Sequence, residues 1–477
     1  MSDLKQKAIR GVFWSAIEKF SAQGVQFVLG IILARLLTPR DYGLVGMLAI
    51  FIAISQAFVL SGFGSALIQK KDRDEKDFST TFYYNIVVAI LFYTILFFLA
   101  PSIASFYKEP LLVDLTRAIS LTLVIEAFSV VQIAKFTINV DFKSQSKASL
   151  SSVIISGIVG ITMAIQGYGV WALVAQSLTK GLVNVIMLWK ISKWVPTERF
   201  SFFRFKKLFF FGSRLLLAGI VHSISQNISK IVIGKVFSTQ TLGFYTRADQ
   251  FARFPSANIE SILGRVTFPV LCSIQDDREQ LLAKHSQIIR LAALVIFPMM
   301  VGLIILAQPL ILSILTEKWA NSIWMLRIIC IGLIFLPING FNVTLYNVLG
   351  RSDLFFRTDL IKQVLIIGFL VVSIPYGIKY MLWGQVIALA LTYFINLLVL
   401  YKIFGHTLVK QIFYFLPIII NCLVMALAIY ITTSFIQNAF IKLTIGIFVG
   451  AITYLAIVWI FNISNVKTIF SVMLNKD

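Results

Sequence analysis

Charge is scarce in this chain. Only 13% of its 477 residues are Asp, Glu, Lys or Arg, about half the 25% share of an ordinary soluble domain. A water-soluble globule is therefore excluded. Acidic charge is the scarcer kind: 21 Asp and Glu face 42 Lys and Arg, a net charge of +21. Cysteine is nearly absent. Cys272, Cys330 and Cys422 lie far apart, with no metal or redox spacing, and they read as small apolar core residues. His222, His285 and His406 form no cluster either, so no metal site is expected. A Walker motif, a G-x-S-x-G elbow and an aqueous loop large enough for a transferase domain are all missing. No catalytic constellation and no cofactor are expected, and any energy source would have to be an ion gradient.

Apolar residues dominate. They make up 58% of the chain, and the mean hydropathy is +0.88. Apolar runs of 20 or more residues recur along it, matching a bilayer core of about 30 Å. The runs are continuous rather than alternating, so they are helices. The expected fold is all-α and polytopic. Spans are read at about 11–34, 43–67, 79–105, 112–140, 148–166, 168–190, 207–234, 243–270, 285–310, 322–349, 354–374, 379–403, 410–433 and 439–463, about fourteen in all. The first is too long for a signal-peptide core and contains Glu18 and Lys19, so it is read as a retained span.

Basic residues fall in alternate loops. One set of loops, with both termini, holds roughly two dozen Lys and Arg. The other holds seven: Arg35, Arg40, Lys108, Lys235, Lys318, Lys379 and Lys442. The positive-inside rule then puts both termini in the cytoplasm. It also accounts for the charge excess without nucleic acid, in favour of membrane lipids.

The sequence repeats with an offset of about 200. Residues 31–43 (IILARLLTPRDYG) lie over residues 231–243 (IVIGKVFSTQTLG), with Gln26 over Gln226, Phe51 over Phe251 and Gly64 over Gly264. Each copy spans six helices, an even number, so the repeat is parallel, as in some secondary transporters. The expected layout is a six-helix lobe at 1–190, a basic-aromatic cytoplasmic linker at 191–206, a second six-helix lobe at 207–403, and an extra helix pair with a tail at 404–477. The linker, ISKWVPTERFSFFRFK, reads as an interfacial segment on anionic lipid. The last two spans carry few polar residues and read as an appended lipid-facing pair.

Ionisable residues inside the membrane are costly and usually face a cavity or a partner. In the first span Glu18, Lys19 and Gln26 share a helix face; in the seventh, Arg214, His222, Gln226 and, at the margin, Lys230 do so. In the eighth, Asp249, Arg253, Ser256, Glu260 and Thr267 fall close to one line. Two readings stand: a self-neutralising seam between helices, or a charged lining for a substrate or coupling ion. Glu126 is a lone carboxylate in the fourth span, either a proton or sodium site or a hydrogen-bonded packing residue. Asn339, Asn342 and Tyr346 form a stripe that packing alone explains.

Three segments carry a family resemblance: KAIRGVFW at 7–14, LARLLTPRDYG at 33–43 and SGFGSALIQ at 61–69, with GFYTRAD at 243–249. Together they resemble the polysaccharide transporters, the Wzx type of the multidrug/oligosaccharidyl-lipid/polysaccharide flippase superfamily. The resemblance covers most of the chain. It implies two six-helix lobes around a central cavity, lined by spans one, two, seven and eight. It also implies a bacterial inner-membrane protein that moves an undecaprenyl-diphosphate-linked oligosaccharide outward, for lipopolysaccharide, capsule or exopolysaccharide. Polymerase and chain-length regulator proteins are the partners it suggests. Arg214, Lys230, Arg247, Arg253 and Arg265 outnumber Asp249 and Glu260 in spans seven and eight, which suits an anionic headgroup. A cation-coupled multidrug exporter would favour an acidic cavity. A polymerase or ligase would be expected to have a large periplasmic loop.

Overall fold

The computed structural model describes residues 21–60, 62–404 and 407–461. The elements are α1 (Ser21–Leu36), α2 (Pro39–Leu60), α3 (Phe63–Gln69), α4 (Glu75–Tyr107), α5 (Leu112–Ala127), α6 (Val130–Ile138), α7 (Phe142–Ile165), α8 (Trp171–Ser192) and α9 (Phe202–Val236). They continue with α10 (Thr239–Cys272), α11 (Arg278–Ile305), α12 (Ala307–Ile314), α13 (Ser322–Leu333), α14 (Phe335–Val348), α15 (Ser352–Ser373), α16 (Ile378–Phe404), α17 (Thr407–Ser434) and α18 (Ala439–Ile460). No strand occurs among the described residues.

Eleven helical segments are long and apolar enough to cross a membrane. The expectation of about fourteen spans adds α1, α9 and α10. At 35 and 34 residues, α9 and α10 exceed the length a bilayer core requires. The chain is a multi-pass helical membrane protein. By internal contacts it divides into two compact units, Met1–Gly243 and Phe244–Asp477. α9 belongs with the first unit because it packs along α2, α3 and α4.

The repeat is visible at the two helix corners. Thr38 starts α2: its backbone N–H and its hydroxyl both donate to Asp41, at 2.8 and 2.7 Å, while Pro39 takes the first helical position. This is capping chemistry, and proline there removes a backbone donor that would have no partner anyway. Two hundred residues later Ser238 starts α10, accepting from the Thr241 N–H at 3.0 Å. The corners meet within the first unit. A Cβ on Gly43 would strike the Thr239 carbonyl, and one on Gly243 would strike the Pro39 carbonyl. Only glycine at both places permits this reciprocal approach. Glu109 pins the contact, accepting from Arg40 at 2.9 Å and from the Thr239 hydroxyl at 2.5 Å. Burial works against its charge, but those two donors hold its carboxyl below the usual range.

The linker docks on protein as well as presenting apolar groups outward. Trp194 is buried against Phe78 and Phe82, and its indole N–H donates to Glu75 at 2.7 Å. The Glu198 and Ser201 N–H groups reach the Ser79 and Thr80 hydroxyls. Arg204 meets Asp74 at 2.6 Å. Burial opposes the Asp74 charge, yet the Asp77 hydrogen bonds and the nearby Arg204 and Lys70 keep its carboxyl below the usual range. Val195, Phe200, Phe202 and Phe203 remain exposed, as an interfacial segment requires.

In the second unit, buried amides tie helices together. Asn396 donates to Asn339 at 3.1 Å, Tyr346 donates to Asn396, and Gln411 donates to Asn342 at 3.2 Å. The expected packing role of the 339/342/346 stripe matches this arrangement. α17 packs on α11 and α16, with Gln411 and Asn421 buried. Its other face exposes Leu416, Ile420, Leu423 and Leu427.

Candidate functional site

The first unit holds a half-open cavity of about 620 Å³, lined by both polar and apolar side chains, within the ~300–1,000 Å³ range of small-molecule sites. Helical periodicity builds it. α7 contributes Gln145, Ser149, Ser152 and Ser156, spaced by three and four residues and so on one face. α8 contributes Gln176, Ser177, Lys180 and Asn184, α5 contributes Thr122 and Glu126, α2 contributes Gln56, and α1 contributes Gln26. Small residues let these helices approach closely: Gly160 lies against Gln176, and Gly181 against Ile125.

Two charges face this space. Glu126 accepts from the Gln56 amide at 3.0 Å. Lys180 donates to the Gln26 carbonyl oxygen at 3.2 Å. The two charges therefore bond amides and close no ion pair with each other. Several hydroxyls are spent on their own helix: Ser152 bonds the Ser149 carbonyl, Ser156 that of Val153, and Ser177 that of Leu173. Their oxygens remain acceptors. The Gln176 and Asn184 amides have no partner among the described residues and open onto the cavity.

In the second unit Arg253 donates to Asp249 at 2.7 Å, the i,i+4 pair expected from spacing. Asp249 is buried and Arg253 partly exposed. Glu260 lies against α14, where a Cβ on Gly340 would come within 3.1 Å of its Oε1. A larger residue at 340 would displace the carboxylate.

The sequence-derived residues thus fall in several places. Gln26 and Glu126 come together in the cavity. Asp249, Arg253 and Glu260 share α10. His222 and Gln226 are exposed on α9, while Lys230 donates to Asn227 at 3.1 Å. Glu18 and Lys19, and the side chains of Arg214 and Arg265, lie outside the described residues. Gln56, Gln176, Lys180 and Asn184 were missed. Lys180, a lysine inside an apolar span, was the one available signal. Among the described residues no group of three or more His, Cys, Asp or Glu could hold a metal ion.

A multi-pass helical protein with a cavity holding charged and amide side chains among its spans has the build of a membrane transporter. Residues 32–324 match the family described as "Polysaccharide biosynthesis protein", and the chain belongs to it. It is 27% identical over 366 residues to the teichuronic acid biosynthesis protein TuaB of Bacillus subtilis, covering 75% of each chain. It is 25% identical over 464 residues to the succinoglycan biosynthesis transport protein ExoT of Rhizobium meliloti, covering 94% of this chain and 92% of that one. Among solved structures it shares its fold with the lipid II flippase MurJ in an inward closed conformation. There the TM-score is 0.75 at 19% identity, over 94% of this chain and 98% of that one. An inward-facing multidrug resistance MATE transporter gives a TM-score of 0.63 at 15% identity, over 81% of this chain and 97% of that one.

Proposed function

We propose that this protein is a flippase. It carries an undecaprenyl-diphosphate-linked oligosaccharide unit from the cytoplasmic to the periplasmic leaflet of the inner membrane by alternating access. The lipid tail stays in the bilayer while the headgroup crosses through protein. The observation that carries this reading is a cavity holding a carboxylate, an ammonium and free amides inside helices built for lipid. Such groups are costly there unless something polar passes. The relatives, a teichuronic acid biosynthesis protein and a succinoglycan biosynthesis transport protein, and the fold shared with a lipid II flippase support the choice of substrate.

On this reading both termini are cytoplasmic, as the loop charges favour. Arg253 binds the diphosphate, because a guanidinium can grip two phosphate oxygens at once. Glu126, Asp249 and Glu260 are the carboxylates available to a coupling ion. The partners are the polymerase and chain-length regulator that act on the delivered unit.

Deletion in the host, followed by analysis of lipid-linked intermediates, tests the reading. Complete units should accumulate and stay inaccessible from the periplasmic face. Unpolymerised units reaching the periplasm would instead assign the chain to polymerisation. A normal intermediate pool with increased drug sensitivity would assign it to drug export.

A further inference from the structure

We infer that the cavity of the first unit is a saccharide subsite, formed by Gln176, Asn184, Gln56, Glu126, Lys180 and Gln26. The inference rests on the flippase reading and specifies which part of the substrate this cavity holds.

The chemistry of the lining selects the ligand. Sugar hydroxyls both donate and accept, and an amide side chain offers one group of each kind. Four of the six residues are amides, each on or beside the cavity wall: Gln26 from α1, Gln56 from α2, Gln176 and Asn184 from α8. Gln176 and Asn184 spend none of their hydrogen-bonding capacity on the described protein. Glu126 uses one carboxylate oxygen for Gln56, leaving the other to accept. Lys180 uses one donor for Gln26, leaving two. In membrane-spanning helices, polar groups left open in this way are costly unless they face water or a polar ligand.

Other ligand classes fit less well. A cation would gain from Glu126, but the Lys180 ammonium lines the same cavity and repels it. A free anion would gain from Lys180 and be repelled by Glu126. An apolar drug could rest on Ile52, Leu60 and Ile119 but would still cover amides and two charges without satisfying them. A polyhydroxylated ring with no net charge can use the donors and acceptors together. Among the described residues no aromatic side chain lines the cavity, so hydrogen bonds carry the recognition. Each is weak on its own, which suits a transporter that must release what it binds.

The test uses the full chain in lipid nanodiscs. Ser149 on α7 lines the same cavity, and Ser149→Cys is a small change. In a Cys272→Ala background the new thiol is labelled with a hydrophilic maleimide. The probe is the saccharide released by mild acid from the lipid carrier that the deletion host accumulates, with inorganic pyrophosphate as the control. The saccharide should slow labelling, and pyrophosphate should not. Adding Gln176→Leu and Asn184→Leu should remove the protection. The same pair in the deletion host should lower polysaccharide export about tenfold or more at unchanged membrane abundance. Failure of the saccharide to protect the thiol introduced at position 149, together with full export by the Leu pair, would overturn the subsite and leave the flippase reading intact. Protection by pyrophosphate alone would also overturn it, assigning the cavity to the diphosphate. If the deletion host accumulates no lipid-linked unit, the flippase reading itself fails, and that is seen before the probe is made.

Discussion

The two compact units place the same side chains inside membrane helices and do opposite things with them. In the first unit Gln26, Gln56, Gln176 and Asn184 border an open cavity of about 620 Å³ with two charges in its wall. In the second, Asn339, Asn342, Asn396 and Gln411 bond one another and Tyr346 in the dry interior. A polar residue in a membrane helix is thus not a functional signal by itself. What separates the cases is whether the protein already supplies its partner. The amides of the second unit bond one another across helices and hold them together, with only the Asn342 Nδ2 of these four residues lacking a partner among the described residues. Those of the first retain capacity for something that passes through.

The sharpest way to break this contrast is to remove the cavity charges. Glu126→Leu and Lys180→Met, made separately, should each cut polysaccharide export tenfold or more. Thermal unfolding of the protein carrying both changes together should be unmoved or raised, since the double change leaves neither charge alone in low dielectric. Melting that falls along with export would make the cavity structural.

Arg253 sits between the two cases. It already has a protein partner in Asp249 at 2.7 Å, yet it is partly exposed. Arg253→Ala should reduce export about tenfold, while Arg253→Lys, which keeps the charge and loses the fork, should be partly defective. The triple change Asp249→Asn, Arg253→Gln, Glu260→Gln leaves no unpaired charge, so a mere seam would tolerate it. Export by that variant at the wild-type rate would reduce Arg253 to a packing residue.

In the second unit the expected effects reverse. Asn396→Leu strands the Asn339 Oδ1, while the Tyr346 hydroxyl keeps the backbone carbonyl of residue 396, at a cost of about 1–2 kcal/mol. The melting temperature should fall by a few degrees, while export per folded molecule should not change. A specific export defect without a drop in melting would blur the distinction between the units.

Much of this was legible in the sequence. Continuous apolar runs gave the helices, and the 200-residue offset put the two corners in register. The i,i+4 spacing gave the Asp249–Arg253 pair. The cavity was not legible, because several helices contribute a few residues each and every such stripe alone resembles packing. Glu126 stood out as a lone carboxylate, but nothing local connects it to Gln56, seventy positions away. Trp194 misled for a related reason: an aromatic in a basic segment reads the same whether it faces lipid or docks beneath a neighbouring helix.

The smallest expected effect concerns the corner pin. The Glu109 carboxyl is held below the usual range, so its pairing adds stability above the ordinary carboxylate value of about 4.3 and loses it as pH falls through the lowered one. Glu109→Gln should therefore separate from wild type in melting at pH 7, by about 1 kcal/mol or less. The two curves should converge as pH falls through that lowered value. A difference independent of pH would mean that charge at this corner plays no part.

Flipping itself can be observed with purified components. Lipid-linked unit from the deletion host is added to the outer leaflet of proteoliposomes, and its sugars are challenged with periodate, which does not cross the bilayer. With the wild-type protein a growing fraction should become protected as units reach the inner leaflet. Vesicles carrying the Gln176→Leu, Asn184→Leu pair should gain that protection about tenfold more slowly. Units that stay fully open to periodate in wild-type vesicles, under a proton or sodium gradient of either direction, would contradict translocation by this chain.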